Sequence, residues 1–270
     1  MLSSVRHPAV AGRFYPGKPE ALRQELRSYI VPSETKLRAV GCVSPHAGYM
    51  YSGHVAGSVY SSLELPKRFI ILCPNHTGMG EPLAMMSRGS WLTPLGEVPV
   101  DTTLAEALLT DLPLIREDEC AHAAEHAIEV QLPFLQLLVP DLTFVPIAVG
   151  TGRFPALEAL GSAIASVVSA SGDRVLVIAS SDMNHYESDQ VTRIKDARAI
   201  ERILALDPPG LHEVVISQNI SMCGMGPTVA MLTAALTLGA KQAQLIRYAT
   251  SADVSGDRDY CVGYAGIVVS

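Results

Sequence analysis

Eight histidines are spread over 270 residues, and three of them stand just past a point where an apolar run breaks off. The run ending at Val43 leads into Ser44-Pro45-His46. The run Phe69 to Cys73 leads into Pro74-Asn75-His76, and Val175 to Ala179 leads into Ser180-Ser181-Asp182-Met183-Asn184-His185. Imidazole is the commonest protein ligand for Zn, Fe, Cu and Ni, and it carries protons near neutral pH. A single histidine in a turn is usually a hydrogen-bonded surface residue. Three at equivalent strand ends point to a metal or catalytic centre. If the strands are parallel, their C-terminal ends share one edge of the sheet, where open α/β folds place their sites.

Catalytic metal sites use three protein ligands and keep a position open. Candidates to complete such a set are His54, His122, His126, Asp182, Cys223 and Asp253. Cys223 lies in the loop Ser221-Met222-Cys223-Gly224-Met225-Gly226-Pro227, directly before an apolar segment. Backbone N–H groups and the positive end of a helix dipole there favour a thiolate. The plainer reading is a small residue packed in a tight turn. A rival site is His122 and His126, four residues apart on a helix expected over 122–138 with Glu125 between them. That order matches the H-x-x-E-H pattern of inverted zinc helices, and it would leave the strand-end histidines without a role.

The elements that must position these residues follow from periodicity. Near-continuous apolar runs are the mark of parallel strands buried on both faces. They predict strands over about 38–44, 69–73, 144–149 and 175–179. Helix patterns cover 19–30, 102–111, 122–138, 155–170, 189–206, 209–217 and the segment from Pro227 to Leu238. Leu83 to Val100 reads as a strand and hairpin excursion turning at Pro94 to Glu97, and two strands, 243–250 and 260–269, close the chain. Strands alternating with helices, with no repeat or linker, predict one α/β domain over 1–270, a mostly parallel central sheet flanked by helices.

Composition narrows the function. With 48% hydrophobic and 17% charged residues the chain can bury a large core. A net charge of -7 gives no basic stripe for nucleic acid. No run of about 18 apolar residues predicts a membrane span, and Met1 to Tyr15 lacks a signal-peptide core. A cytoplasmic protein is therefore expected. The five cysteines (Cys42, Cys73, Cys120, Cys223 and Cys261) are scattered without a Cys-x-x-Cys pair, against a disulfide framework or a zinc ribbon. Cys42 and Cys73 fall inside apolar runs and are expected in the core. Phosphate-loop, dinucleotide and G-x-S-x-G patterns are missing.

Six motifs occur in order: Ala11-Gly12 with Phe14-Tyr15-Pro16; Pro45-His46-Ala47-Gly48-Tyr49 with Ser52-Gly53; Pro74-Asn75-His76; Glu125-His126 with Ile128-Glu129 and Gln131-Leu132-Pro133; Ser180-Ser181-Asp182 with His185; and Met222-Cys223-Gly224 with Gly226-Pro227. Together they resemble the Memo family (AmmeMemoRadiSam system protein B), from about residue 7 to the C-terminus. The resemblance implies a fold similar to LigB-type class III extradiol dioxygenases, non-haem iron enzymes with two histidines and a glutamate on Fe(II). Carried onto this chain, it implies His46, His76 and Cys223 as metal ligands, the cysteine replacing the glutamate. His185 would be the acid/base with Asp182 beside it, and His126, Tyr49 and Asn75 would contact substrate.

A thiolate in the third place is softer than a carboxylate, so the implied metal is Fe(II) or Cu, with Zn as a further option. The implied function is a metal-dependent oxidoreductase. The alternatives are a non-catalytic small-molecule or peptide binding protein using a vestigial dioxygenase pocket, and a cysteine hydrolase pairing Cys223 with His185. The family name also implies association with AMMECR1-type and radical-SAM proteins. A homodimer stands as an expectation with no residue behind it.

Overall fold

The computed structural model describes residues 4–32 and 35–270. The chain opens with β1 (Val5–Arg6) and α1 (Pro19–Tyr29), where Pro19 starts the helix at a position that needs no backbone N–H. It continues through β2 (Gly41–Ser44), α2 (Tyr49–Ser62) and β3 (Arg68–Pro74). An excursion follows, with β4 (Leu83–Met85), β5 (Ser90–Thr93), β6 (Gly96–Pro99), α3 (Thr102–Asp111) and β7 (Arg116–Glu117). Next come α4 (Cys120–Ala123), α5 (Leu132–Leu138), β8 (Thr143–Val149), α6 (Phe154–Ser171) and β9 (Val175–Ser180). The last part holds β10 (His185–Glu187), α7 (Asp189–Leu204), α8 (Pro208–Ser217), α9 (Met225–Thr237), β11 (Ala243–Thr250), α10 (Ala252–Ser255) and β12 (Cys261–Val269).

The sheet runs β10-β12-β2-β9-β3-β8-β4-β7, with β11 on the other edge of β12. Its centre, β2-β9-β3-β8, is parallel, and the flanking pairs β12-β2 and β8-β4 are antiparallel. Both faces are covered, which is why the central strands carry no polar alternation. On β3, Phe69, Ile71 and Cys73 pack with the layer that includes α1, α2 and α5, while Ile70 and Leu72 pack with the layer of α3 and α6 to α9. Cys42 and Cys73 are core residues.

The helix α6 is long and apolar enough to cross a membrane by length and composition, the one such helix among the described residues. In the fold it is a core helix, burying Leu157, Leu160 and Ile164. Its contact with α9 is close because a Cβ on Gly161 would lie 2.5 Å from the Ala230 carbonyl oxygen. That oxygen is backbone and yields little. Gly161→Ala is expected to cost about 1–3 kcal/mol despite alanine's better helix propensity, measured by urea unfolding; an unchanged midpoint would contradict this packing.

Two expectations are corrected. The helix over 122–138 is broken into α4 and α5, because the Glu125 carboxylate accepts the N–H groups of His126 (2.8 Å) and Ala127 (2.9 Å) and so competes with the helical pattern. The strand and hairpin expected over Leu83 to Val100 are present: Leu83–Met85 joins the main sheet, and β5 and β6 form the hairpin of a separate small sheet with β1. His185 does not sit in the turn directly after a parallel strand. It opens β10, which pairs antiparallel with β12.

Candidate metal centre

His46 and His76 lie two residues beyond β2 and β3, whose parallel alignment through β9 brings both to one sheet edge. Their rings are 5.2 Å apart between centroids. Cys223 reaches the same place from the loop before α9, with Sγ 3.2 Å from His46 Nε2. One ligand atom from each of His46, His76 and Cys223 can be chosen so that all lie within 4.8 Å of one another. A cavity of about 490 Å³ opens over them, and His126, Asp182 and His185 also line it. Phe14, Val262 and Tyr264 supply part of its apolar wall.

The hydrogen-bond network decides which imidazole nitrogen carries the proton. Ser180 Oγ donates to the Ala127 carbonyl (2.7 Å) and accepts from Gln131 Nε2 (2.8 Å), so its single proton is spent. His46 Nδ1, 3.0 Å away, must therefore donate to it. His76 Nδ1 donates to the Glu125 carboxylate at 2.9 Å. Both Nε2 atoms then keep their lone pairs, that of His46 in contact with Cys223 Sγ, the arrangement that carboxylates and other outer partners impose on metal-binding histidines. Gln131 itself is held by Ser44 and Tyr60.

The charges follow from burial and neighbours. Burial lowers the His46 pKa well below its ordinary value, and the nearby His76 and His126 lower it further. Burial also opposes charge on His76, but the Glu125 hydrogen bond and charge outweigh it and raise the pKa. Glu125 is pulled the other way, to about 2, because its bonds to His76 and to backbone N–H groups overcome desolvation. Burial raises Asp182, which accepts the His46 backbone N–H at 2.8 Å.

Cys223 departs from the expectation of a ready thiolate. Burial and the Asp182 charge hold its pKa well above the ordinary thiol value, so without a cation it is a thiol. A helix dipole is worth about 0.3–1 kcal/mol at ordinary exposure, too little against desolvation. A bound metal reverses this, since thiolate ligands lose their proton on coordination. The imidazole it contacts is His46, at 3.2 Å, where a cysteine hydrolase would pair it with His185.

The other candidates lie elsewhere. Tyr49 is buried, donates to the Val130 carbonyl (2.6 Å) and packs on Tyr15 and Phe134, so it does not line the cavity as expected for a substrate contact. Asn75 is also off the lining; its side chain accepts from Thr77 and Gly78 and donates to the Met79 carbonyl. His54 is on α2, where burial and Arg247 lower its pKa, and Asp253 pairs with Arg193. His122 is sealed against Trp91, so the helical His122–His126 site does not form. His126 instead stacks on His76 at 4.9 Å. It forms a second ligand-atom group with His76 and Glu125, but that carboxylate already accepts from three backbone N–H groups.

Ser180 and Gln131 stand in the sequence motifs without an expected role, and Glu125 stands there only as the glutamate of the rival helical site. The available signal was polar residues set between apolar neighbours, each of which must find a buried partner.

Residues 6–268 match the family model described as Memo-like protein. A MEMO1 family protein of Methanosarcina acetivorans is 45% identical, covering 98% of this chain and 99% of its own. One from Methanothermobacter thermautotrophicus is 42% identical, covering 97% of this chain and 99% of its own. A solved structure of an uncharacterized protein from Escherichia coli K12 aligns with TM-score 0.57 over 86% of this chain and 100% of that one. At 12% identity it shares the fold alone. A near full-length match to the family model and identities above 40% to several relatives place this chain in the Memo family.

Proposed function

We propose that this protein is a metal-dependent oxidoreductase whose centre is held by His46 Nε2, His76 Nε2 and Cys223 Sγ. The observation that carries the reading is the engagement of both Nδ1 atoms by Ser180 and Glu125, which leaves the Nε2 atoms for a metal, together with ligand atoms of His46, His76 and Cys223 that lie within 4.8 Å of one another. Two imidazoles and a thiolate suit Fe(II), Cu or Zn and leave positions free for a substrate. Iron or copper would supply electron transfer there, and zinc would supply Lewis acidity.

The chain's own residues do the rest. His185 Nδ1 donates to the Ser221 carbonyl at 2.8 Å, so its Nε2 is free to take a proton from a substrate or, once protonated, to return it. Asp182 lines the same cavity. Asp182 also fixes the His46 backbone. Phe14 and Tyr264 displace water from one wall of the cavity, which takes a small molecule or one side chain of a peptide.

Metal analysis after anaerobic purification tests the reading. The wild-type protein is expected to carry or take up about one equivalent, and Cys223→Ala to retain at most about a tenth of that. Failure of the wild type to bind added Fe(II), Cu or Zn would overturn it.

A further inference from the structure

His185 is supported by a residue that never reaches the cavity. We propose that Asn184, acting through Ser221, is the positioning residue that fixes the tautomer and direction of the His185 ring and ties it to the loop carrying Cys223. The inference rests on the reading of His185 as the proton carrier of this site.

Asn184 is fully buried, and each of its polar atoms is used. Its backbone N–H donates to Asp196 Oδ1 (2.8 Å), and its carbonyl accepts from Gly263 N–H (2.9 Å). The side-chain Oδ1 accepts from Ser221 N–H at 3.1 Å, with Ser221 Oγ at the same distance. Nδ2 donates to Glu187 Oε2 at 2.7 Å. A backbone N–H on one side and a carboxylate on the other allow only one orientation of the amide.

Ser221 passes this orientation on. Its Oγ accepts the His185 backbone N–H at 2.8 Å, and its carbonyl accepts His185 Nδ1–H at 2.8 Å. A carbonyl cannot donate, so the proton must sit on Nδ1 and the lone pair on Nε2. Ser221 is two residues before Cys223, which lines the same cavity. A displacement of the Asn184 amide would therefore move the His185 acceptor and the Cys223 loop together.

The backbone supplies a second observation. Tyr186, next to His185, has φ of +65°, a left-handed conformation that a bulky residue adopts only when its surroundings impose it. The β10–β12 register also shifts between His185 and Glu187. On one side of Tyr186 His185 is fixed to Ser221, and on the other Glu187 is fixed by the Asn184 amide and by Lys195. The strained residue lies between two anchors that both lead to Asn184.

The test is long-range ¹H–¹⁵N NMR of the metal-free protein labelled in its histidine rings, with His185 assigned by His185→Gln. In the wild type His185 is expected as a single Nδ1–H tautomer. In Asn184→Ala its two ring nitrogens should shift toward a mixture of tautomers, while His46 and His76, held by Ser180 and Glu125, keep theirs. Asn184→Asp keeps the acceptor for Ser221 N–H but sets a carboxylate against Glu187, and should show the same selective change if the alanine variant folds poorly. An unchanged His185 tautomer in the folded variants, or an equal disturbance of all three histidines, would overturn the proposal. Metal content of the same samples is read separately, so a wild type that binds no metal defeats the functional reading without altering the tautomer result.

Discussion

Glu125→Gln is expected to weaken metal binding about 10–100-fold, the usual effect of losing the outer partner of a ligand histidine. The carboxylate accepts the His76 ring proton and the backbone N–H groups of His76, His126 and Ala127. Glutamine keeps one acceptor oxygen but offers an NH₂ on the other side, which faces donors. His76 then loses the charge that raises its basicity, and either its ring Nδ1–H or its backbone N–H faces the amide NH₂. Competition with a chelator of known affinity at neutral pH measures the change, and an affinity within about twofold of wild type would contradict the assigned role.

The same residue predicts an acid limb. The folded Glu125 pKa lies at about 2, below its ordinary value of 4.5. A depressed carboxylate contributes stability that is fully present above the unfolded value and is lost as pH falls through the folded one. The Glu125 contribution should therefore decline between about pH 4.5 and 2, and Glu125→Gln should lack that part of the profile.

Arg6→Met is expected to lower stability by about 3–5 kcal/mol, because it leaves a buried carboxylate without its cation. Arg6 Nη1 bonds the Glu129 carboxylate, and both side chains are within 5% of full burial. Glu129 also accepts from Ala9 N–H, Val10 N–H and Tyr15 OH. For a chain of this length the loss corresponds to a melting temperature lower by about 10 °C. Circular dichroism on heating tests it, and a fall of less than about 2 °C would show that Glu129 is satisfied without Arg6. The consequence reaches the site. Arg6 Nη2 donates to the Glu125 carbonyl at 2.6 Å and Nε to the His122 carbonyl at 3.1 Å, so the turn presenting Glu125 and His126 is fastened to β1. The variant should also bind metal more weakly.

Much of this architecture was legible in the chain before any tertiary contact. The central strands β2, β3, β8 and β9 are apolar on both faces because helices cover both faces, so their runs were continuous and their ends visible. The placement of His46 and His76 just beyond those ends followed, as did the family motifs that single out Cys223.

Residues whose fate depends on partners distant in sequence were not legible. Tyr49 stands beside His46 in the same motif, yet it turns inward to Val130 and Phe134. The segment 122–138 has a helical pattern, but Glu125 spends its carboxylate on backbone N–H groups and on His76, which lies 49 residues earlier. The thiol state of Cys223 depends on its burial and on Asp182, neither of which loop composition reports. Sequence alone thus determined that His46 and His76 arrive at the sheet edge, since hydrophobic periodicity is local. Tertiary structure decided which of their nitrogens are free when they arrive, since a proton is placed by whichever acceptor the fold brings within reach.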